Sequence, residues 1–269
     1  MPSLLANLLD AAERSGKLNL RTADIVRALP GVSSEALRQA LRRQQRKGRI
    51  APTSRGSQHW VIVPLQDAAA GAPQLEAWLD AYLSKTLGVA YYVGLLSAAE
   101  VYGASPQAVM VTQVITSKTR RPVQVGRHRL VFFKNSRIPE LPTRWHSTPQ
   151  GRFKVSTPEL TALDLVARQQ VAGGIARLTE VLKSLTSEMT TEGLRTALNA
   201  ASEPPTAQRL GALLSLLDQS QLADLVADWL ASKHTRRIPL TPGLDDQLAS
   251  TLHTRFKVQL PSAPQPANT

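Results

Sequence analysis

Apolar residues recur at helical spacing along residues 33–47 and then form two short strand-like runs up to residue 63. One face of the predicted helix carries Ala36, Leu37, Ala40 and Leu41, and Gly48 ends the helix. Residues 49–51 and 59–63 predict the two strands of a hairpin around a polar tip at residues 52–57. Two further predicted helices, at residues 2–14 and 22–29, come before them. This order predicts a winged helix-turn-helix over residues 1–64.

The rest of the chain predicts a second, larger domain. Residues 65–75 are small and polar, which is typical of a linker. Two predicted helices (75–87 and 91–102) are followed by β-branched and aromatic runs that predict a small sheet, and the pattern is helical from residue 156 to about 230. The predicted fold class is therefore α+β: a winged helix-turn-helix at 1–64, a linker at 65–75, a mainly helical domain with a small β-sheet at 76–257, and a disordered tail at 258–269.

The amino-acid composition excludes several kinds of site and segment. The chain of 269 residues has no cysteine, which excludes disulfides and cysteine zinc sites. No apolar run approaches the roughly 18 residues of a membrane span. The first predicted helix contains Asp10 and Glu13, unlike a signal peptide, so we expect a cytoplasmic protein without a membrane partner.

Signatures of an enzyme are also lacking in the sequence. The five histidines have no metal-ligand spacing, and there is no phosphate-binding glycine loop. We interpret Glu159 and Asp164 as residues of helix capping and local pairing. The sequence thus predicts a protein that is not an enzyme, with no catalytic residue, no metal and no cofactor.

Positive charge is concentrated in two parts of the chain. The net charge is +12, and residues 1–65 carry 11 basic against 4 acidic residues, while residues 118–154 carry 10 against 1. The remaining segments are slightly acidic. Two separate basic blocks indicate two surfaces that face a polyanion.

The basic residues within this pattern predict contacts to duplex DNA. On the predicted helix, Arg38, Gln39 and Arg42 are candidates for base edges, because Arg can bond to guanine and Gln to adenine. The neighbouring basic side chains are expected at phosphates, and Arg55 at the hairpin tip in the minor groove. The full set of predicted DNA-binding residues is Ser34, Arg38, Gln39, Arg42, Arg43, Arg46, Lys47, Arg55, Ser57, Lys118, Arg120, Arg121, Arg127 and Arg129.

Each of these assignments has a simpler alternative. The helix face can be a solvated charged surface, and the hairpin tip an exposed turn. The second block can meet the DNA backbone, RNA or an acidic protein, or can serve solubility alone.

Four segments in order resemble the AbiEi antitoxin family. They are the Tyr-Tyr-Val-Gly-Leu-Leu-Ser-Ala stretch from Tyr91 to Gly103, the basic section 111–134, the Ser-Thr-Pro-Glu motif within residues 155–165, and the Arg-Leu-Gly motif within residues 207–214. The resemblance implies an antitoxin of a type IV toxin–antitoxin system linked to abortive phage infection. It further implies binding to inverted repeats of its own promoter, repression of the operon, and a nucleotidyltransferase-like toxin that is counteracted without a stable complex.

The sequence therefore predicts a DNA-binding antitoxin and autorepressor. The alternative is an interaction module whose C-terminal domain contacts a protein or an RNA directly. A nuclease or another nucleic-acid enzyme with a winged-helix targeting domain is a third possibility.

Overall fold

Residues 4–63 form three helices and a three-stranded antiparallel sheet. The computed structural model describes residues 4–54, 56–105, 109–243 and 250–261. The elements are α1 (Leu4–Arg14), β1 (Asn19–Arg21), α2 (Thr22–Ala28), α3 (Ser34–Arg46), β2 (Ile50–Pro52) and β3 (His59–Ile62), with strand order β1-β3-β2. This order and pairing are compatible with a winged helix-turn-helix. We call residues 4–63 the N-terminal module.

The amphipathic helices bury their apolar stripes in one core. Leu5 and Leu9 of α1 pack with Ile25 of α2, Leu37 of α3 and Ile62 of β3, and all five are at most 4% exposed. The structure places Ala36 on the exposed side of α3, although the spacing predicted it inward.

A mixed six-stranded sheet follows, which is larger than the sequence predicted. Its spatial order is β6-β7-β5-β4-β9-β8, and its strands are β4 (Tyr91–Val93), β5 (Thr112–Thr116), β6 (Val123–Val125), β7 (His128–Lys134), β8 (Thr143–Thr148) and β9 (Gly151–Ser156). The predicted helix at 91–102 is wrong in its first part, because Tyr91–Val93 is the strand β4 and only Leu95–Val101 is helical (α4). β4 lies inside the sheet and is buried throughout, so it shows no alternation.

The segment predicted as a linker is ordered. Leu65–Ala70 is a 3₁₀-helix, and it ends at Gly71 with a φ of 68°. A Cβ on Gly126 would lie 2.4 Å from the carbonyl carbon of Gly71, so the two backbones can touch only because both residues are glycines. The predicted helix at 75–87 is instead a 3₁₀ turn (Leu75–Ala77) and a π-helical segment (Ala81–Thr86).

The C-terminal part is helical and ends in a small sheet. Its helices are α5 (Pro158–Ala167), α6 (Ile175–Leu185), α7 (Thr191–Ala201), α8 (Pro204–Leu216) and α9 (Ser220–Ala231), and its strands β10 (Ile238–Pro239), β11 (Ser250–His253) and β12 (Val258–Pro261) pair in the order β10-β12-β11. The strand β12 occupies the start of the segment predicted as a disordered tail, because it pairs with both neighbours. Residues 262–269 of that segment lie outside the described residues.

The chain divides into two compact units that are discontinuous in sequence. Unit 1 comprises residues 1–93, 110–138 and 145–155, and unit 2 comprises residues 94–109, 139–144 and 156–269. The predicted boundary at 65–75 falls inside unit 1. One reason is a buried hydrogen bond from Asn19 Nδ2 of β1 to the carbonyl oxygen of Trp78 at 3.0 Å.

Candidate nucleic-acid interface

Helix α3 presents one apolar face to the core and one basic face to solvent. Ser33 caps the helix, because its Oγ accepts a hydrogen bond from the backbone N–H of Ala36 at 3.2 Å. The buried side consists of Leu37, Ala40, Leu41 and Gln44. All seven candidate residues of this helix region are exposed: Ser34, Arg38, Gln39, Arg42, Arg43, Arg46 and Lys47.

One acidic residue, Glu35, holds two of the three base-edge candidates. Its carboxylate accepts a hydrogen bond from the guanidinium of Arg38 and another, at 3.0 Å, from Gln39 Nε2. The Arg38–Glu35 pair is open to solvent, with 59% and 60% of the side chains exposed, so solvent screens it. The sequence reasoning did not assign a role to Glu35. Its spacing of three and four residues from its partners is the signal that shows the pairing.

The remaining basic side chains of this helix region form no salt bridge with any carboxylate that the structure describes. They are Arg42, Arg43 and Arg46 of α3 and Lys47, its C-cap residue. The acids of the facing helix α1 are occupied elsewhere: Asp10 and Glu13 bind Arg49 at 2.6 Å and 3.1 Å. Helix α3 therefore carries four cations that are available to an external anion.

The hairpin tip between β2 and β3 is closed by side-chain hydrogen bonds. The hydroxyl of Ser57 lies 2.8 Å from the hydroxyl of Thr53 and accepts a hydrogen bond from the backbone N–H of His59 at 3.0 Å. Ser57 thus shapes the turn. Arg55, the predicted minor-groove residue, lies outside the described residues.

A cleft separates α3 from the hairpin. It encloses about 590 Å³ and is lined by residues of both elements, including Arg38 and Arg42 on one side and Ser57 on the other. Trp60 forms part of its wall and is fixed by a hydrogen bond from Nε1 to the hydroxyl of Thr22 at 3.0 Å. The tryptophan is half-buried and packs against the core of the N-terminal module.

The five predicted DNA-binding residues of the second basic block lie in the same unit as α3. Lys118, Arg121, Arg127 and Arg129 are exposed, whereas Arg120 is half-buried. Arg127 also donates a hydrogen bond from Nη2 to Gln74 Oε1 at 3.0 Å. On β7, Arg129 is exposed and the next residue, Leu130, is fully buried.

The charge of Arg120, in the second basic block, acts on a titratable side chain of the N-terminal module. Burial lowers the pKa of His59 on β3, and the nearby charges of Arg21 and Arg120 lower this pKa further. Arg120 therefore lies within electrostatic reach of the N-terminal module, although it follows His59 by some sixty positions in sequence.

The positive charge of the chain is divided unequally between the two units. Unit 1 contains 21 Lys and Arg against 7 Asp and Glu, a net charge of +14, whereas unit 2 contains 11 against 13, a net charge of −2. The whole positive excess thus belongs to the unit that carries α3. A surface of this charge attracts polyanions over several ångströms at physiological salt.

The Arg-Leu-Gly motif of unit 2 and the residue before it have structural roles. Gln208 donates through Nε2 to the carbonyl oxygens of Arg236 and Phe256, at 2.9 Å and 2.7 Å, and so ties α8 to the C-terminal sheet. A Cβ on Gly211 would meet the ring of Phe256 at 2.2 Å. The glycine of the Arg-Leu-Gly motif therefore leaves the space that the ring of Phe256 fills.

The two acidic residues of α5 serve to join helices and to form a local pair. Glu159 is buried, and its Oε1 accepts a hydrogen bond from the backbone N–H of Thr190, the N-cap of α7, at 2.8 Å. Glu159 thus supports the start of another helix, while Thr157 caps α5 itself. Asp164 pairs with Arg168 at 2.9 Å, as the predicted local pairing requires.

Sequence reasoning missed a cluster on β8 and β9. Trp145 is exposed and lies beside the cationic side chains of Arg152 and Lys154. Polar and apolar residues alternate along β9 but not along β8, so the sequence indicates one of the two strands only.

Two further observations concern metals and membranes. Over the described ranges, no group of three or more His, Asp or Glu side chains is arranged to hold a metal ion. None of the helices there has the length and apolar character that crossing a membrane demands.

Comparison with known families identifies the middle part of the chain. Residues 92–216 match the family model described as the AbiEi antitoxin C-terminal domain. The chain thus carries this domain, which confirms the family resemblance predicted from the sequence and supports an antitoxin role in a toxin–antitoxin system. The match begins within β4 and ends at the last residue of α8.

A solved structure shares the architecture over most of the chain. The crystal structure of the RV2827C protein from Mycobacterium tuberculosis matches with a TM-score of 0.63 and covers 94% of this chain and 89% of that chain. The sequences are 16% identical, so the likeness concerns the fold alone. The fold belongs to the predicted α+β class. No curated protein matches the sequence.

Proposed function

We propose that this protein is a DNA-binding antitoxin that represses its own operon. The N-terminal module acts as a winged helix-turn-helix, and α3 enters the major groove of duplex DNA. The observation that carries this proposal is the exposed face of α3, where Arg42, Arg43, Arg46 and Lys47 have no acidic partner among the described residues and lie in a unit of net charge +14.

The side chains of α3 suit both kinds of contact that DNA recognition needs. The major groove is about 12 Å wide and admits a helix, and arginine there bonds to the O6 and N7 atoms of guanine. Arg38 and Arg42 face the cleft beside the hairpin and are the proposed base-reading residues. The cations further along the helix are proposed to contact phosphates, which fix the register without reading sequence.

Repression follows when two copies cover an inverted repeat in the promoter. A two-fold pair of modules matches the symmetry of such a repeat, with half-sites one helical turn or a multiple apart. The basic residues of the second block, from Lys118 to Arg129, are proposed to add contacts to the DNA backbone. A repressor works where the DNA is, so we propose a cytoplasmic location.

The antitoxin role rests on the family match and extends to a proposed partner. We propose that the toxin is a nucleotidyltransferase-like enzyme and that this protein counteracts it without a stable complex. Mixing the two purified proteins is then expected to give separate elution on size exclusion, whereas co-expression restores growth. Co-elution of the two proteins would contradict the proposed mode of action.

The proposed DNA recognition is tested by binding to the protein's own upstream promoter. Fluorescence anisotropy compares that duplex with a scrambled duplex for the wild type and for Arg38→Ala/Arg42→Ala. Each bidentate arginine–guanine pair contributes about 1–3 kcal/mol of discrimination, so the preference for the promoter is expected to fall by roughly 5- to 150-fold per arginine lost.

A matched control separates base reading from net charge. Arg195 on α7 and Arg237 before β10 are exposed arginines of unit 2, and Arg195→Ala/Arg237→Ala removes the same charge elsewhere. This variant is expected to keep the preference. Equal binding of promoter and scrambled duplex by the wild type would refute the autorepressor, and the same loss in both double variants would refute reading by α3.

A further inference from the structure

The cluster on β8 and β9 has the composition of a base-stacking site. The strands β8 and β9 are neighbours in the sheet, and their exposed residues are Arg144, Trp145 and Ser147 on β8 and Arg152 and Lys154 on β9. Alternation along a strand puts Trp145 and Ser147 on one face of β8 and Arg144 on the other. The cations of Arg152 and Lys154 lie over the ring of Trp145, so they share its face. The rings of His146 and Phe153, on the other face, are 5.1 Å apart.

Trp145 differs from the other tryptophans of the chain. It is 42% exposed, whereas Trp78 is fully buried, Trp60 is fixed in the N-terminal module and Trp229 is half-buried with its Nε1 bonded to Asn199. A large apolar ring at the surface loses the benefit of burial unless something covers it.

Two cations are already arranged around the ring. The guanidinium carbon of Arg152 lies 4.4 Å from the ring centroid of Trp145, which is a stacking distance, and Lys154 Nζ lies 5.5 Å from it. Neither cation forms a salt bridge with any carboxylate that the structure describes. The cluster thus offers planar groups for stacking and positive charge at the same place.

We propose that Trp145, Arg152 and Lys154 bind single-stranded nucleic acid. An unpaired base extends the stack that Trp145 and Arg152 begin, and Lys154 pairs with a phosphate of the same strand. Bases stack on aromatic rings and on guanidinium planes in this way, and the contact is tolerant of sequence.

Single strands fit this cluster better than duplex DNA does. In a duplex the base faces are covered by their neighbours, so an exposed indole finds no partner there, whereas an unpaired strand exposes a π-face at every base. The cluster is also separate from the predicted DNA-binding residues of the second basic block, Lys118 to Arg129, although Arg152 and Lys154 belong to the same block in sequence. β8 and β6 are the two opposite edges of the six-stranded sheet, about 24 Å apart at the usual strand spacing.

The test uses the full chain and two labelled probes of equal length and charge. One is a single-stranded oligonucleotide of about 12 residues without self-complementarity, and the other is the same backbone without bases. Stacking of one base predicts that the wild type binds the first probe roughly 5- to 150-fold more tightly than the second. Trp145→Ala is expected to bind both probes alike, and Trp145→Phe is expected to keep most of the difference.

Control variants separate stacking from charge and from loss of fold. Trp229→Ala removes a tryptophan that also has a lysine, Lys233, over its ring at 5.1 Å, and it is expected to keep the preference. Lys154→Gln is expected to weaken both probes equally. Every variant is first checked for an unchanged melting temperature, and Arg152→Gln replaces Trp145→Ala if that variant unfolds.

The outcomes decide between stacking and a general basic surface. Equal affinity of the wild type for the two probes, or a preference that survives in Trp145→Ala, would overturn the proposal. Oligoribonucleotide and oligodeoxyribonucleotide probes of one sequence then show whether the 2′-hydroxyl contributes. Promoter duplex binding is expected to be unchanged in Trp145→Ala, so this result is independent of the proposed repressor function.

Discussion

Removing unpaired cations from α3 is expected to change how DNA affinity depends on salt. The change is Arg42→Ala/Arg46→Ala, which takes two of the four cations without a carboxylate partner among the described residues. Each phosphate contact contributes about −0.9 to the slope of log affinity against log salt. On a scrambled duplex Arg42 has no base to read and is counted as a phosphate contact, so four contacts give about −3.6 from α3 alone.

This slope converts into a large effect over an ordinary salt range. Raising salt from about 50 to about 200 mM, a fourfold change, weakens binding through these contacts by about 150-fold in the wild type. With two contacts left, the slope is about −1.8 and the loss only about 12-fold. Titrations of a scrambled duplex, read by anisotropy at four or more salt concentrations, measure the difference.

The control for this experiment is Arg195→Ala/Arg237→Ala, which lowers the net charge by the same amount in unit 2. It is expected to leave the slope within experimental error of the wild type. An unchanged slope in the α3 variant would show that these cations do not meet phosphates, and an equal change in both variants would show that only net charge matters.

Three further predictions concern stability and the α3 surface. Gly211→Ala is expected to lower the free energy of unfolding, measured in urea, by roughly 1–2 kcal/mol. The added methyl group would lie 2.2 Å from the ring of Phe256, so overpacking costs about 2–3 kcal/mol, the upper part of the usual range, while the gain in helix propensity is only about 1 kcal/mol. In a Phe256→Leu background, where the ring is absent, the same change should stabilise the protein. Burial lowers the pKa of His59, so the neutral imidazole contributes its full share of folding stability above pH 6.5, and this share is lost as the pH falls below that value. In His59→Gln the urea midpoint should therefore depend less on pH. A pH profile identical to that of the wild type would contradict this cause. Glu35→Gln releases Arg38 and is expected to steepen the salt slope by about 0.9, whereas a shallower slope would mean that Glu35 holds Arg38 in its DNA-binding position.

Local pattern was enough to predict the N-terminal module. The three helices and the hairpin are short-range elements, and the exposed and buried sides of α3 follow from helical spacing with the exception of Ala36. The candidates on α3 were predicted as exposed residues for the same reason.

The central sheet could not be predicted in the same way. Tyr91–Val93 is a three-residue strand buried on both faces, and its apolar run continues into the helix at Leu95, so periodicity does not separate strand from helix. Leu95, the first residue of that helix, has a φ of 56°, in the left-handed region that leucine rarely adopts, so the sequence gives no sign of it.

Long-range contacts account for the other differences. Glu159 looked like a capping residue of its own helix, but its partner Thr190 is 31 positions away. Glu35 is an exception to this, because its partners Arg38 and Gln39 lie in its own helix, but the prediction rested on the cations alone. The cluster around Trp145 depends on two strands meeting, which residue spacing alone does not establish.

The discontinuity of unit 1 has a consequence for synthesis of the chain. Residues 1–93 cannot complete this unit until residues 110–138 and 145–155 have left the ribosome, and the path passes from one unit to the other five times. The nascent N-terminal module, with its own core, can form early, while β4 has to wait for β9 at the far end of unit 1. The surface that is proposed to hold the operator therefore emerges well before the antitoxin domain is finished.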